Sequence, residues 1–101
     1  MARSIEVSES CALVLASLMG GPKHGYAIIT DVESLTGKRL GPGTLYGIIA
    51  RLESWNFICP LDMEDRGRRP YRITAAGKRA FEGRLDRLKR HERALKALAT
   101  S

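Results

Sequence analysis

Thr44, Tyr46 and Arg51 project from one side of a helical segment whose other outward positions, Gly43, Gly47, Ala50 and Ser54, are almost stripped of bulk. At about 100° per residue these positions share or flank one face. The chemistry such a set performs is hydrogen bonding. A hydroxyl reaches a phosphate or a base edge, and an arginine bonds a guanine edge or a phosphate. Gly43 and Gly47 act by absence, since a Cβ at either position would hold an approaching surface away. A surface helix normally carries long charged chains there; one this bare is shaped for close approach, and the major groove of duplex DNA is the obvious counterpart. Plainer readings stand beside these. Tyr46 can be a packed aromatic with its hydroxyl at the surface, Arg51 can pair with a nearby carboxylate, and both glycines can serve turns or packing.

Further groups extend this chemistry. Lys23 and Tyr26 flank a helix start and can contact phosphate, while His24 is better suited to a local structural hydrogen bond. Lys38 and Arg39 precede the bare helix and can clamp a backbone or simply form a solvated turn. Arg66, Arg68 and Arg69 sit at a glycine-containing hairpin tip, suited to phosphate or the minor groove, although Asp62, Glu64 and Asp65 reduce that attraction. The net charge of +6 favours an anionic partner. Most of the excess lies late in the chain, with eight Lys/Arg against three Asp/Glu in residues 75–101 and nine against eight before them. Local clusters therefore carry the argument for the first part.

No catalytic constellation accompanies these residues. His24 and His91 lie far apart in sequence, neither joins a nucleophile or a metal-ligand set, and no phosphate-binding glycine loop is present. Neither a cofactor nor a metal is expected, and the chain does not read as an enzyme. Cys11 and Cys59 have apolar neighbours and no CxxC or Cys/His spacing, so reduced core residues are expected; a redox role would need a thiol exposed near a basic group. No apolar run approaches the roughly 20 residues that span a bilayer, and no convincing signal-peptide pattern opens the chain. A cytoplasmic protein without membrane contact is the expectation.

The elements that must position these groups follow from periodicity. A first helix is predicted from about Val7 to Met19, ended by Gly20-Gly21-Pro22, and a second from near His24–Tyr26 to Gly37, with Ile28, Ile29, Val32 and Leu35 at helical intervals. The third, from Pro42 to about Trp55–Asn56, places Leu45, Ile48, Ile49 and Leu52 toward a core; Gly41 can cap it, Pro42 suits its first turn, and Asn56 tolerates a left-handed exit. Phe57–Cys59 and Tyr71–Ile73 read as a hairpin with Glu64–Arg69 at its tip, Pro60 marking a bulge or an edge. Thr74 then caps a long helix to about Ala99. Trp55 falls at the core edge, with a partner or effector contact as its second reading.

That last helix spans about 35–40 Å, too long for so small a core to cover. Phe81, Leu85, Leu88 and Leu95 recur by threes and fours, interrupted by Glu92, and such a seam wants a partner helix. Dimerisation through it is expected, with folding back over its own domain as the alternative. Glu92 should find an Arg or His partner or be exposed. The fold class is thus mainly α with a two-stranded β-wing: a winged helix-turn-helix over residues 5–74 and a dimerisation helix over 75–99.

Four segments in this order resemble the PadR-like transcriptional regulators: His24-Gly25-Tyr26, Pro42-Gly43-Thr44-Leu45-Tyr46, Arg51-Leu52-Glu53, and Arg69-Pro70-Tyr71-Arg72-Ile73-Thr74-Ala75-Ala76-Gly77. The likeness spans roughly Ala12 to Arg79. It implies a homodimeric DNA-binding regulator, usually a repressor, of the compact branch that lacks a large effector domain. It also implies a pseudo-palindromic operator and, in many members, a small aromatic or amphipathic effector at the dimer interface, whose site the sequence does not locate. Gly47 stands where the family usually has Pro, which implies a looser helix or a closer approach to DNA. Trp55 replaces a charged residue and Asn56 a glycine. The competing reading is a winged-helix adaptor that docks protein through its last helix and has little DNA affinity of its own.

Overall fold

The computed structural model describes residues 6–64 and 67–101. Ile5, the expected start of the first domain, and Arg66, an expected wing contact, lie outside the described residues. The elements run α1 (Glu9–Leu18), β1 (Lys23–His24), α2 (Gly25–Thr36), α3 (Pro42–Ser54), β2 (Ile58–Pro60), β3 (Pro70–Ile73) and α4 (Ala75–Thr100).

Each helix boundary has a local cause. Ser8, in an extended conformation, accepts a bond from the Cys11 amide at 3.3 Å and so starts α1 two residues later than periodicity predicts. Val7 is nonetheless fully buried, reaching the core from extended chain. Gly37 ends α2 in the left-handed region at φ 74°, its N–H bonded to the Glu33 carbonyl at 2.9 Å. Gly41 precedes α3 with Pro42 at the first helical position, and Asn56 leaves that helix at φ 59°, as its tolerance for this region allows. Thr74 caps α4, its hydroxyl accepting from the Gly77 amide at 3.0 Å.

The sheet is larger than the two strands expected. Its order is β1-β3-β2, antiparallel throughout, with Ile58 opposite Ile73 on one side of β3 and Lys23 opposite Tyr71 on the other. β1 escapes the sequence because two residues carry no alternating pattern. It forms because β3 would otherwise leave a row of unpaired backbone groups. Pro60 lies on an edge strand, where a missing donor is tolerated.

The core joins one face of each early helix to the sheet: Val14, Leu15 and Leu18 from α1, Ile28, Ile29 and Val32 from α2, and Leu45, Ile48, Ile49 and Leu52 from α3. Phe57, Ile58, Tyr71 and Ile73 complete it. Full burial of one such side chain stabilises by about 1.5–3 kcal/mol, so the apolar stripe of α3 fixes which of its sides faces out. Trp55 packs at the core edge against Phe57, ring centroids 5.8 Å apart.

α4 leaves this body behind. Its first turns pack on α1, Phe81 and Ala80 lie against the core, and the Arg84 guanidinium donates to the Val7 carbonyl at 2.9 Å. Phe81, grouped by the sequence with the seam, thus serves its own domain's packing. Leu85, Leu88 and Leu95 are exposed, and so is Leu98. Glu92 is also exposed, paired with Lys96 at 2.9 Å rather than with an Arg or His. Among the described residues no helix is long and apolar enough to cross a membrane.

Candidate nucleic-acid interface

The apolar stripe turns the bare side of α3 to solvent. Gly43, Thr44, Tyr46, Gly47, Ala50, Arg51 and Ser54 are all exposed. A Cβ built on Gly43 or Gly47 meets nothing within 4 Å, so no part of the described protein requires their smallness. The start of α3 has no side-chain cap, leaving its first amides directed outward as donors with the positive end of the helix dipole behind them. Arg51 lies within 4 Å of no carboxylate among the described residues. Its pairing alternative is therefore not realised there.

The hairpin comes alongside this face. Arg69 donates to the Leu61 carbonyl at 2.8 Å, fastening the base of the tip, while Gly67 turns it at φ 72°. Arg68 extends to His24, with its guanidinium nitrogen 3.4 Å from the imidazole Nε2. Between hairpin and helices lies an open notch of about 270 Å³, lined by Tyr26, Tyr46 and Tyr71 together with Arg68 and Arg69. Tyr71 is held above its ordinary pKa by burial and then by the negative charge of Glu53. Its phenol therefore stays protonated and neutral. Three phenols and two guanidiniums around one notch form a donor-rich surface with no carboxylate among the described residues that line it.

Several residues expected at this surface are occupied elsewhere. The Lys23 ammonium forms an ion pair with Asp31 and donates to the Ser17 carbonyl at 2.7 Å. Asp31 also accepts from the Ser17 hydroxyl at 2.7 Å, and its carboxyl is held below the ordinary value by its bonds to Lys23 and Ser17. Lys23 thus turns inward between α1 and α2, away from the role of a phosphate clamp, because Asp31, two turns into α2, lies within its reach. Arg39 pairs with Glu33 at 2.9 Å, an exposed bridge of small strength that a phosphate can displace. Lys38 is exposed and has no carboxylate partner among the described residues. Tyr26 is 69% exposed beside the notch.

His24 and Tyr71 belong to the notch although sequence reasoning does not assign them to it. The sequence marks His24 only for a local hydrogen bond, yet its partner lies 44 residues away. Arg72 points away from the tip, with a guanidinium nitrogen 3.3 Å from the Cys59 sulfur. Cys59 is accordingly half-buried beside a basic group rather than fully in the core, whereas Cys11 is buried; both are free thiols. Among the described residues no three His, Cys, Asp or Glu side chains gather as a metal site.

Comparison with known proteins places this architecture. The "Transcriptional regulator PadR-like family" matches residues 14–83. A 37.1 kDa protein of transposon TN4556 from Streptomyces fradiae is 46% identical over 79 residues, which are 77% of this chain. The chain spans only 22% of that relative's length. Among solved structures, a PadR family transcription regulator from Clostridium difficile superposes with a TM-score of 0.76 at 22% identity, covering 91% of this chain and 99% of that one. A transcriptional regulator from Clostridium thermocellum gives 0.77 at 23% identity, covering 90% and 96%. Since the family match runs from within α1 through the hairpin into α4, this chain belongs to the PadR-like family of transcriptional regulators.

Proposed function

We propose that the protein represses transcription as a homodimer that binds a pseudo-palindromic operator, α3 of each copy entering the major groove and the hairpin wing resting on backbone. The observation that carries this reading is the open ridge of α3, where no described residue comes within 4 Å of a Cβ built on the exposed Gly43 or Gly47, beside Thr44, Tyr46 and Arg51. Such a ridge lets a helix backbone sit deep in a groove about 12 Å wide. Arg68, Arg69 and Lys38 flank it at positions suited to phosphate, and the uncapped start of α3 adds amide donors.

The exposed row of Leu85, Leu88, Leu95 and Leu98 supports dimerisation through α4. Two such copies would present their α3 helices to successive major grooves about 10 bp apart. The deciding experiment is a gel shift or anisotropy titration with DNA from upstream of the protein's own gene, repeated across salt. With about six to eight phosphates neutralised per dimer, log K against log salt should slope near −5 to −7. Retention of no DNA at low salt would overturn the reading in favour of the protein-docking adaptor. Sedimentation should give a dimer for the wild type and a monomer for Leu88→Asp.

A further inference from the structure

We infer that Gly25 is a positioning residue for DNA recognition: it is the seat on which the Tyr46 ring rests, and through that ring it sets α3 against the start of α2 and the wing. This rests on the DNA-binding reading above. Gly25 is buried at the first position of α2. Its backbone is not among those with positive φ, so conformation alone would admit any residue. Space does not. A Cβ there would stand 2.9 Å from the Tyr46 hydroxyl oxygen, 3.3 Å from Tyr46 Cζ and 3.2 Å from Leu45 Cδ2. The ring that leaves α3 on its outward side therefore lies back on α2 instead of standing free, although Tyr46 is 54% exposed.

The same corner reaches the wing. His24, the residue before Gly25, meets Arg68, and Tyr71 of β3 lines the notch together with Tyr46. One short segment thus touches the recognition helix through residue 25 and the hairpin tip through residue 24. A Cβ at 25 would drive out the Tyr46 ring, because the far end of a side chain yields more cheaply than a helix backbone. Helical side chains lean toward the N-terminus, so the displaced ring would swing toward Gly43 and fill part of the ridge that must stay empty.

The test uses Gly25→Ala, Tyr46→Ala and the double variant on the full chain, read by operator affinity, melting and NMR. Wild type should show a cross-peak between the Gly25 Hα protons and the Tyr46 ring. Gly25→Ala should keep a cooperative melt yet lose about tenfold or more in operator affinity. The double variant should bind as Tyr46→Ala alone, since without the ring a Cβ at 25 meets only the Leu45 Cδ2 methyl at 3.2 Å, which a side-chain shift of a few tenths of an ångström relieves. If Gly25→Ala fails to fold, the double variant must recover both folding and the affinity of Tyr46→Ala. Independent, multiplying losses would overturn the inference, as would wild-type affinity in Gly25→Ala or absence of the cross-peak. A cross-peak in a wild type that binds no DNA would instead defeat the DNA-binding reading, and with it the recognition role assigned to residue 25.

Discussion

Among the described residues nothing stands within 4 Å of a Cβ built on Gly43 or Gly47 of α3, whereas Gly25 and Gly77 are each pressed by another part of the same chain. The first pair leaves room for a molecule outside the protein; the second leaves room for the protein itself. Gly77 is the extreme case. A Cβ on it would lie 2.1 Å from the Phe57 carbonyl oxygen and 2.8 Å from Ile73 Cγ1. That carbonyl also accepts from the Thr74 amide at 2.9 Å, while the Thr74 hydroxyl donates to the Asn56 carbonyl at 2.6 Å. The exit of α3, the end of β3 and the start of α4 are therefore locked together at one point. The same residue type is structural there and, in the proposed function, interfacial on α3, and the difference lies in what stands opposite.

Substitution can break this contrast. Gly77→Ala should have the largest effect, because the obstructing atom is backbone and cannot swing aside. A loss of about 3 kcal/mol or more in urea unfolding is expected, together with weakened DNA binding that follows from unfolding. Gly47→Leu should do the reverse. Stability should hold or rise by up to about 1 kcal/mol from improved helix propensity, while operator affinity falls by about tenfold or more as the ridge fills. Wild-type affinity in Gly47→Leu would remove α3 from the groove. A Gly77→Ala protein that melts like the wild type would erase the distinction between the two pairs.

The charged residues sharpen the comparison with smaller effects. Arg68→Ala with Arg69→Ala should weaken all DNA sequences alike and flatten the salt slope by about one unit for each phosphate left without its guanidinium. Tight binding by that double variant with an unchanged slope would disprove the wing's role. Lys38 faces outward and Lys23 inward, so Lys38→Gln should lower the slope and Lys23→Gln should leave it nearly unchanged. The inward lysine should be felt in acid instead. The folded carboxyl of Asp31 titrates below its ordinary 3.8, chiefly through its bond to Lys23. Its contribution is therefore present above that pH and lost as pH falls through the folded value. Asp31→Asn should abolish this small acid-dependent step in a melting series, and persistence of the step would exclude the pair as its source.

Local signals make much of the fold legible. Leu45, Ile48, Ile49 and Leu52 repeat at helical spacing, so both the existence of α3 and the side it turns outward can be read directly. Pro42, Gly37, Asn56 and Thr74 announce helix ends through their own backbone or hydroxyl chemistry. What escapes is set by residues distant along the chain. β1 exists because β3 has a free edge, Lys23 turns inward because Asp31 lies within reach, and His24 finds Arg68 only once the hairpin has closed. The outward glycines of α3 are legible because nothing opposes them. The tight places of Gly25 and Gly77 are not, since periodicity gives a residue's direction but not its neighbour.

Only Gly77 of the 26 residues in α4 is buried, and every position from Leu88 to Ser101 is exposed. An isolated helix of about 12–15 residues, the length of that exposed stretch, is marginal in water, and the outer half of α4 is not covered by its own domain. If a second copy supplies the missing cover, helicity becomes a function of how much protein is present. Dilution would fray the distal turns first while the remainder stays folded, and the cell's copy number would then set how much of the regulator is in a shape able to grip its operator.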